Sequence, residues 1–385
     1  MKIAFIIGEL RDIYKYKYTS KYLPKWLKNG LEPLKNWINK DKTIPVMVAV
    51  AVYIMYKHRN TIVDCLKHKL VNRKLLDEYD VIFTLYDSVD VFHCGLPPHG
   101  TCPSEAHKYE RILQATKAFV YPFPNFHNYI INKPYYYSNL RKAGLPIVPY
   151  FRANPVLVVK NIKKFKAKVM KKGWKGIIVK PSYAGYSVGI QVFKNVSRTS
   201  ASTFKKKFQE LVNMSFPNVI VQEFVPSFGK NYEIRTYWIN EKYAYSVATL
   251  KPEAAGLDVD YTTFKREGGK LDNSILQDLK PLGVQVLKSI RQYKYAGGSR
   301  ATHPLVRIDF GCCIKQQDCP NSYFINEIET MAAYKLVNKT RFPATQRIAD
   351  AVYKFSTKVV GKQEPKPVKS KHIATYKVPC KKMTL

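Results

Sequence analysis

Apolar and polar positions along the chain fall into short β-branched runs separated by segments of helical period. Lys2 to Gly8, Asp80 to Leu85 and Phe119-Val120-Tyr121 read as buried strands of an N-terminal α/β domain. Further on, Val306, Ile308 and Phe310 alternate with Arg307 and Asp309, which places the apolar side chains on one face and the charged pair on the other. The stretch Tyr323 to Glu329 alternates likewise, with Glu327 and Glu329 sharing a face. Asn132-Lys133-Pro134 predicts a helix start, Leu140 lies on that helix's apolar side, and Gly144 stops it. Tyr150-Phe151 follows as an extended pair. Residues 160–172 predict an amphipathic helix with Ile162, Phe165, Val169 and Met170 inward and seven lysines outward, ended by Gly173. A helix with Phe204, Phe208, Leu211 and Val212 inward precedes a strand from Val219 to Val225. Tyr232 to Asn240 reads as a strand with Glu233, Arg235 and Tyr237 on one face, then comes a strand over 243–250, and helices over 281–293 and 344–355. The longest apolar run, Ile44 to Tyr56, is too short to span a bilayer and reads as a buried strand or hairpin.

Candidate chemistry gathers at two places. The run Ile177-Ile178-Val179 ends in Lys180, a small-residue loop from Pro181 to Gly189 follows, and a second strand runs from Val188 to Phe193. Backbone N–H groups of such a loop, at Ser182, Gly185 and Ser187, can point at phosphate oxygens beside the fixed charge of Lys180. The same residues also suit an ordinary hairpin with a surface lysine. At the second place, Asp309, Glu327 and Glu329, with Arg307 beside them, make a hard-oxygen set suited to Mg²⁺ held with phosphate. Arg235 suits a bidentate clamp on phosphate or carboxylate, and a plain ion pair with Glu233 is the competing use.

Charge alters the range of partners. The 385 residues hold 64 Lys and Arg against 28 Asp and Glu, a formal net charge of +36. That surplus attracts acidic polypeptide, nucleic acid, anionic membrane or phosphorylated small molecules. Residues 11–42 mix nine Lys and Arg with tyrosines and Trp26, which suits a solvated insertion pinned by its aromatics or a polyanion contact. The tail after Gly361 carries seven lysines against one Glu and reads as a disordered basic arm. Seven cysteines at 65, 94, 102, 312, 313, 319 and 380 form no Cys-x-x-Cys pair, and no secretory leader is apparent before Ile3. Free thiols in a reducing, cytoplasmic setting are therefore expected. His93, Cys94, His99, Cys102 and His107 fit no usual zinc spacing. Gly-x-Gly-x-x-Gly after the first strand and Gly-x-x-x-x-Gly-Lys-Ser/Thr are both absent.

Taken in order, Asn132-Lys133, Lys-Pro-Ser-x-x-Gly-x-Ser-Val-Gly (180–189), Arg-Ile-Asp-Phe (307–310) and Asn-Glu-Ile-Glu (326–329) resemble the ATP-grasp superfamily. The closest resemblance is to its D-alanine–D-alanine ligase and glutathione synthetase-like branch, over roughly residues 128 to 355. It implies an α/β, or α+β, architecture in four parts. These are an N-terminal pre-ATP-grasp domain (1–127), an ATP-grasp N-lobe with the phosphate hairpin (128–225), a C-lobe with the Mg²⁺ site (226–360) and the basic tail (361–385). It implies that ATP lies between the lobes, with adenine at the hinge Glu223, Phe224 and Val225 and its ribose on Glu233. The phosphates would lie under Ser182, Gly185 and Ser187, held by Lys133 and Lys180, with Lys251 close to a lid over 252–269. Mg²⁺ would sit on Asp309, Glu327 and Glu329. Arg307 would stabilise an anionic tetrahedral species, with Arg235 on phosphate or acceptor.

The activity so implied is ATP-dependent joining of a carboxylate to an amine through an acyl-phosphate, on an acceptor of anionic character such as an acidic peptide. The alternatives are an ATP-grasp kinase on a polyphosphorylated or sugar-like acceptor, and a non-catalytic polyanion-binding protein keeping an ATP-grasp shell. Two departures stand out. Glu329 occupies the place where the family usually has Asn, and Thr330-Met331-Ala332-Ala333 replaces the Ser-Pro-Gly turn that holds the acceptor in the D-alanine ligases. The dipeptide product is therefore not implied.

Overall fold

The structure is a computed structural model that describes residues 1–7, 15–17, 43–67, 71–84, 111–122, 126, 129–130, 132–182, 189–214, 216–226, 228, 233–249, 273–290, 302–312, 323–330 and 344–361. Gly185, Ser187, Lys251, the 252–269 lid, the His/Cys stretch of residues 93–107, most of the 11–42 insertion and the basic tail lie outside these residues.

The N-terminal sheet is parallel throughout. It comprises β1 (Lys2–Ile7), β4 (Ile62–Lys67), β5 (Val81–Thr84) and β6 (Phe119–Tyr121) in the order β4-β1-β5-β6. A small ribbon pairs β2 (Lys15–Lys17) with β3 (Thr43–Pro45). The apolar run after Pro45, expected to be a strand or hairpin, is instead helix α1 (Val46–Lys57). Its Met47, Ala49, Val50, Ala51, Val52 and Ile54 are all buried, so the run is apolar on every side because it is a packed helix. Twelve residues exceed the length of most strands, and periodicity cannot separate a buried helix from a buried strand. A short α2 (Arg73–Leu76) follows, capped by the Asn72 side chain.

Helix α3 (Lys133–Lys142) starts at the predicted Pro134 and ends before Gly144, whose φ of +73° is the left-handed stop that glycine permits. The second sheet is antiparallel. It consists of β7 (Tyr150–Ala153), β8 (Ile177–Pro181), β9 (Gln191–Phe193) and β10 (Val219–Glu223) in the order β7-β10-β8-β9. Three helices cover one face, namely α4 (Pro155–Lys160), α5 (Ile162–Lys171) and α6 (Ala201–Asn213). Their Val158, Ile162, Phe165, Val169, Phe204, Phe208 and Leu211 meet Ile177, Val179, Val219 and Val221 of the sheet in one core. Met170, expected inward, is 54% exposed. Val169 beside it, also expected inward, is buried, as the i, i+3, i+7 spacing of Ile162, Phe165 and Val169 requires.

The third sheet, also antiparallel, has β11 (Glu233–Ile239), β12 (Lys242–Thr249), β13 (Leu305–Cys312) and β14 (Tyr323–Thr330) in the order β12-β11-β13-β14. Helix α7 (Asn273–Ile290) begins eight residues before the expected start, because Pro281 sits inside the helix and does not open it. Its Leu279, Val286, Leu287 and Ile290 pack with Trp238, Val306, Ile308, Phe310 and α3's Tyr136, Tyr137 and Leu140. Helix α8 (Ala344–Val360) packs through Ile348, Val352 and Phe355 onto the N-terminal sheet and α1, and Tyr237, Ile239 and Leu305 join the same core. The third sheet is thereby fixed against both the N-terminal sheet and α3.

A β-carbon on Gly283 of α7 would stand 2.1 Å from the buried Trp238 indole. Alanine ordinarily stabilises a helix interior by about 1 kcal/mol over glycine. Overpacking of a filled core costs about 1–3 kcal/mol. Gly283→Ala is therefore expected to lower stability in urea unfolding despite its better helix propensity, and a stabilised variant would contradict this packing.

Candidate active site between the two antiparallel sheets

The site is built where the open face of the third sheet meets the end of β8. On β11, Arg235 stands opposite Asp309 and Tyr237 opposite Arg307, so these side chains share a face. On β14, Glu329 stands opposite Arg307 and Glu327 opposite Asp309. The ladder slips between Asp309 and Phe310, which leaves Asn326 as the extra residue of a β-bulge. Strict alternation would turn Asn326 away from Glu327, and the bulge brings it to the polar face instead. The Tyr137 hydroxyl of α3 donates to the Asn326 carbonyl and holds the bulge against the helix.

Two lysines reach this face from elsewhere. Lys180 Nζ, at the end of β8, donates to Asn326 Oδ1 at 3.0 Å. Lys133 Nζ, from the first turn of α3, lies 2.9 Å from Glu327 Oε1. Asn326 Nδ2 donates to Glu233 Oε1 at 2.7 Å, and Glu233 Oε2 accepts from Arg235 Nε and Nη2 at 3.0 and 2.8 Å. Arg307 donates to both Asp309 oxygens at 2.7 Å, and its Nη2 is also 2.7 Å from Glu329 Oε1. Arg235 Nε lies 3.7 Å from Asp309 Oδ2. Lys133, Lys180, Glu233, Arg235, Arg307, Asp309, Glu327 and Glu329, each singled out in the sequence, are thus brought into one network with Asn326. The Glu233–Arg235 ion pair, the competing reading of those residues, is present in it.

Burial sets the protonation of the group. Desolvation lowers Lys180 to about 8, with Glu327 and Glu233 opposing the drop and Lys133 adding to it. Desolvation would raise Glu327, but Lys133, Arg307 and Lys180 outweigh it and hold the carboxyl down at about 2. Asp309, 1% exposed, is pushed up to about 6 by burial against the pull of Arg307 and Arg235. Burial works against the charge on Arg307 as well, yet Asp309 and Glu329 raise its pKa well above the usual value.

Ser182, at the edge of the loop, offers its carbonyl to the Lys133 N–H at 3.2 Å. Its hydroxyl is buried with no hydrogen-bond partner among the described residues. A buried hydroxyl left unsatisfied costs about 1–3 kcal/mol, which a ligand oxygen accepting its proton would recover. At the hinge, the N–H groups of Glu223 and Phe224 donate to the carbonyls of Pro149 and Gly176, and Val225 packs with Val148, Phe228 and Phe324.

The carboxylates of Asp309, Glu327 and Glu329 carry the hard oxygens that Mg²⁺ takes, and the register sets Asp309 opposite Glu327. Among the described residues no group of three or more His, Cys, Asp or Glu side chains is gathered closely enough to hold a metal ion. Each carboxylate is turned to a cation of the chain instead, and Arg307 stands between Asp309 and Glu329. The donor chemistry fits a hard cation at the Asp309–Glu327 pair, whereas a three-carboxylate cluster is not assembled.

Asn326 and Tyr137 were not singled out as site residues. Only the bulge brings Asn326 into the network, and no alternation pattern announces a bulge. Tyr137 lies one turn after Lys133, at a spacing that puts both on one helix face.

This three-sheet arrangement is found in solved structures. D-cycloserine synthetase DcsG superposes with a TM-score of 0.59 at 14% identity, over 93% of this chain and 100% of that one. An ATP-grasp RimK domain protein from Sphaerobacter thermophilus gives 0.55 at 8% identity over 91% and 99%, and a Bacillus anthracis D-alanine–D-alanine ligase gives 0.53 at 12% over 94% and 99%. No family model and no curated protein matches the sequence. The chain has the ATP-grasp fold. No helix among the described residues is long and apolar enough to cross a membrane.

Lys180 releases its proton near pH 8 in the folded protein, against 10.5 for an ordinary lysine. Across that window the unfolded chain binds the extra proton, so the residue's contribution to stability rises with pH. Urea unfolding is expected to show wild type gaining on Lys180→Met between pH 8 and 10, and a constant difference would contradict the lowered pKa.

Proposed function

We propose that the protein is an ATP-dependent ligase that joins a carboxylate to an amine through an acyl-phosphate. The observation that carries this reading is the meeting of Lys180 and Lys133 on adjacent residues of β14, Asn326 and Glu327. Two cations from different elements converge near Ser182, whose hydroxyl has no partner among the described residues, a setting suited to a chain of phosphates. A Bacillus anthracis D-alanine–D-alanine ligase of this fold was solved with ATP, and the ATP-grasp ligase PsnB with Mg and ADP.

In this reading Lys133, Lys180 and Ser182 hold the triphosphate, with Gly185 and Ser187 of the loop above it. Glu223, Phe224 and Val225 take adenine, Glu233 takes the ribose and Lys251 is a further nucleotide contact. Asp309 and Glu327 would hold Mg²⁺, which supplies Lewis-acid polarisation of the phosphoryl oxygens, while Glu329 stays on Arg307. A substrate carboxylate oxygen attacks the γ-phosphorus and ADP leaves. An amine nitrogen then attacks the acyl carbon, inorganic phosphate departs and the amine loses its proton. Arg307, kept charged by Asp309 and Glu329, stabilises the negative charge that builds on the acyl oxygen. Arg235 orients the acceptor, and both arginines favour an anionic one such as an acidic peptide.

Lys180→Ala and Asp309→Asn are each expected to lower ATP turnover by at least two orders of magnitude without unfolding the protein. Unchanged nucleotide affinity in both variants would remove this site from the reaction. Hydroxylamine added during turnover with pools of acidic peptides should trap a hydroxamate. ADP formation with a phosphorylated hydroxyl product and no hydroxamate would replace the ligase reading with a kinase.

A further inference from the structure

We propose that the helical layer of the second sheet, on the side away from the cleft, is a docking surface for an anionic lipid bilayer. Residues 150–223 contain fifteen Lys and Arg and two Glu. The inward face of α4, α5 and α6 is used up in the core, so their remaining side chains face outward. Seven lysines of α4, α5 and α6, together with Lys172 just after α5, are exposed, and no carboxylate of the three helices is. Glu210, the one acid on the three helices, is half-buried and engaged by Lys207 and Gln191.

Helix stability does not account for this pattern. Lys163 and Lys164 stand in the first turn of α5, where the helix dipole favours acids, and that turn holds none. Lys168 and Lys172 lie over the Phe151 and Trp174 rings, but Lys163 and Lys164 have no such use among the described residues, and Lys164 stands one turn from Lys168, a like-charge spacing that weakens a helix. A surface kept against these local preferences points to a function for it.

The choice of a bilayer rests on what lies among the lysines. Leu157 is 64% exposed, Met170 54% and Val156 44%, all on α4 and α5. Headgroup phosphates and carboxylates match the lysines, while the acyl boundary beneath them receives short aliphatic side chains. Nucleic acid and acidic polypeptide match the charge but present little apolar surface to Leu157 and Met170. The layer lies across the sheet from Lys180, so docking leaves the cleft open.

The test uses the full chain and sedimentation with vesicles of phosphatidylcholine, with and without 30% phosphatidylserine. Wild type should sediment with the anionic vesicles only and be released by high salt. Reversal of Lys163, Lys164, Lys168 and Lys171 to Glu should weaken binding at least tenfold. Leu157→Ser with Met170→Ser should weaken vesicle binding several-fold and leave affinity for duplex DNA and polyglutamate unchanged. Circular dichroism of both variants should match wild type. The proposal is overturned if anionic vesicles are not bound, or if the charge reversal leaves vesicle binding intact. It is equally overturned if duplex DNA or polyglutamate binds more tightly than the vesicles and the serine variants bind vesicles as wild type does.

Discussion

The polar bridge between the end of β8 and the bulge of β14 is the constraint on which the site depends. Lys180 and Lys133 come from different elements, repel each other, and are received by Asn326 and Glu327. Asn326 can do so because the ladder slips by one residue, and Tyr137 of α3 fastens the slipped carbonyl. Behind this, Glu233, Arg235, Asp309, Arg307 and Glu329 form a run of ion pairs in which each buried charge has an opposite neighbour. Removing one partner from such a pair typically costs about 3–5 kcal/mol, because the other charge is left buried and alone. The network therefore fixes the geometry of the cleft floor as well as its chemistry.

The same pairing explains how the floor is poised. Two lysines and two arginines face four carboxylates, and the lowered pKa of Lys180 shows that the local balance of charge does not fully repay its burial. An anionic ligand with several phosphates would take over the roles of Asn326 and Glu327 toward the lysines. Glu329, standing where the proteins its motif resembles usually have Asn, is committed to Arg307. That commitment gives the departure a physical meaning, since an amide could not hold Arg307 by charge.

Much of this was legible in the sequence, for identifiable reasons. Period-two alternation in 306–310 and 323–329 placed Arg307, Asp309, Glu327 and Glu329 on one face, and the ladder register agrees. Pro134 and Gly144 bounded α3, and Gly173 ended α5. The failures are equally specific. The apolar run at Val46–Lys57 carries no polar side to reveal its period, α7 starts eight residues before the expected helix over 281–293 with Pro281 inside it, and Met170 faces solvent although Val169, expected inward with it, is buried. Asn326 was hidden because a bulge is a tertiary event, set by Phe310, Ile325 and the helix above them. The ion pairing that separates the three carboxylates was equally beyond a reading of strand faces, since it depends on where Arg307 comes to rest.

A crystal structure with a non-hydrolysable ATP analogue tests the central claim most directly. The account predicts a triphosphate lying between Ser182 and Glu327, within hydrogen-bond distance of Lys133 and Lys180, with the Lys180–Asn326 bond broken or lengthened. A nucleotide seated instead at the carboxyl ends of the parallel strands β1 and β5, with the bridge intact, would contradict it.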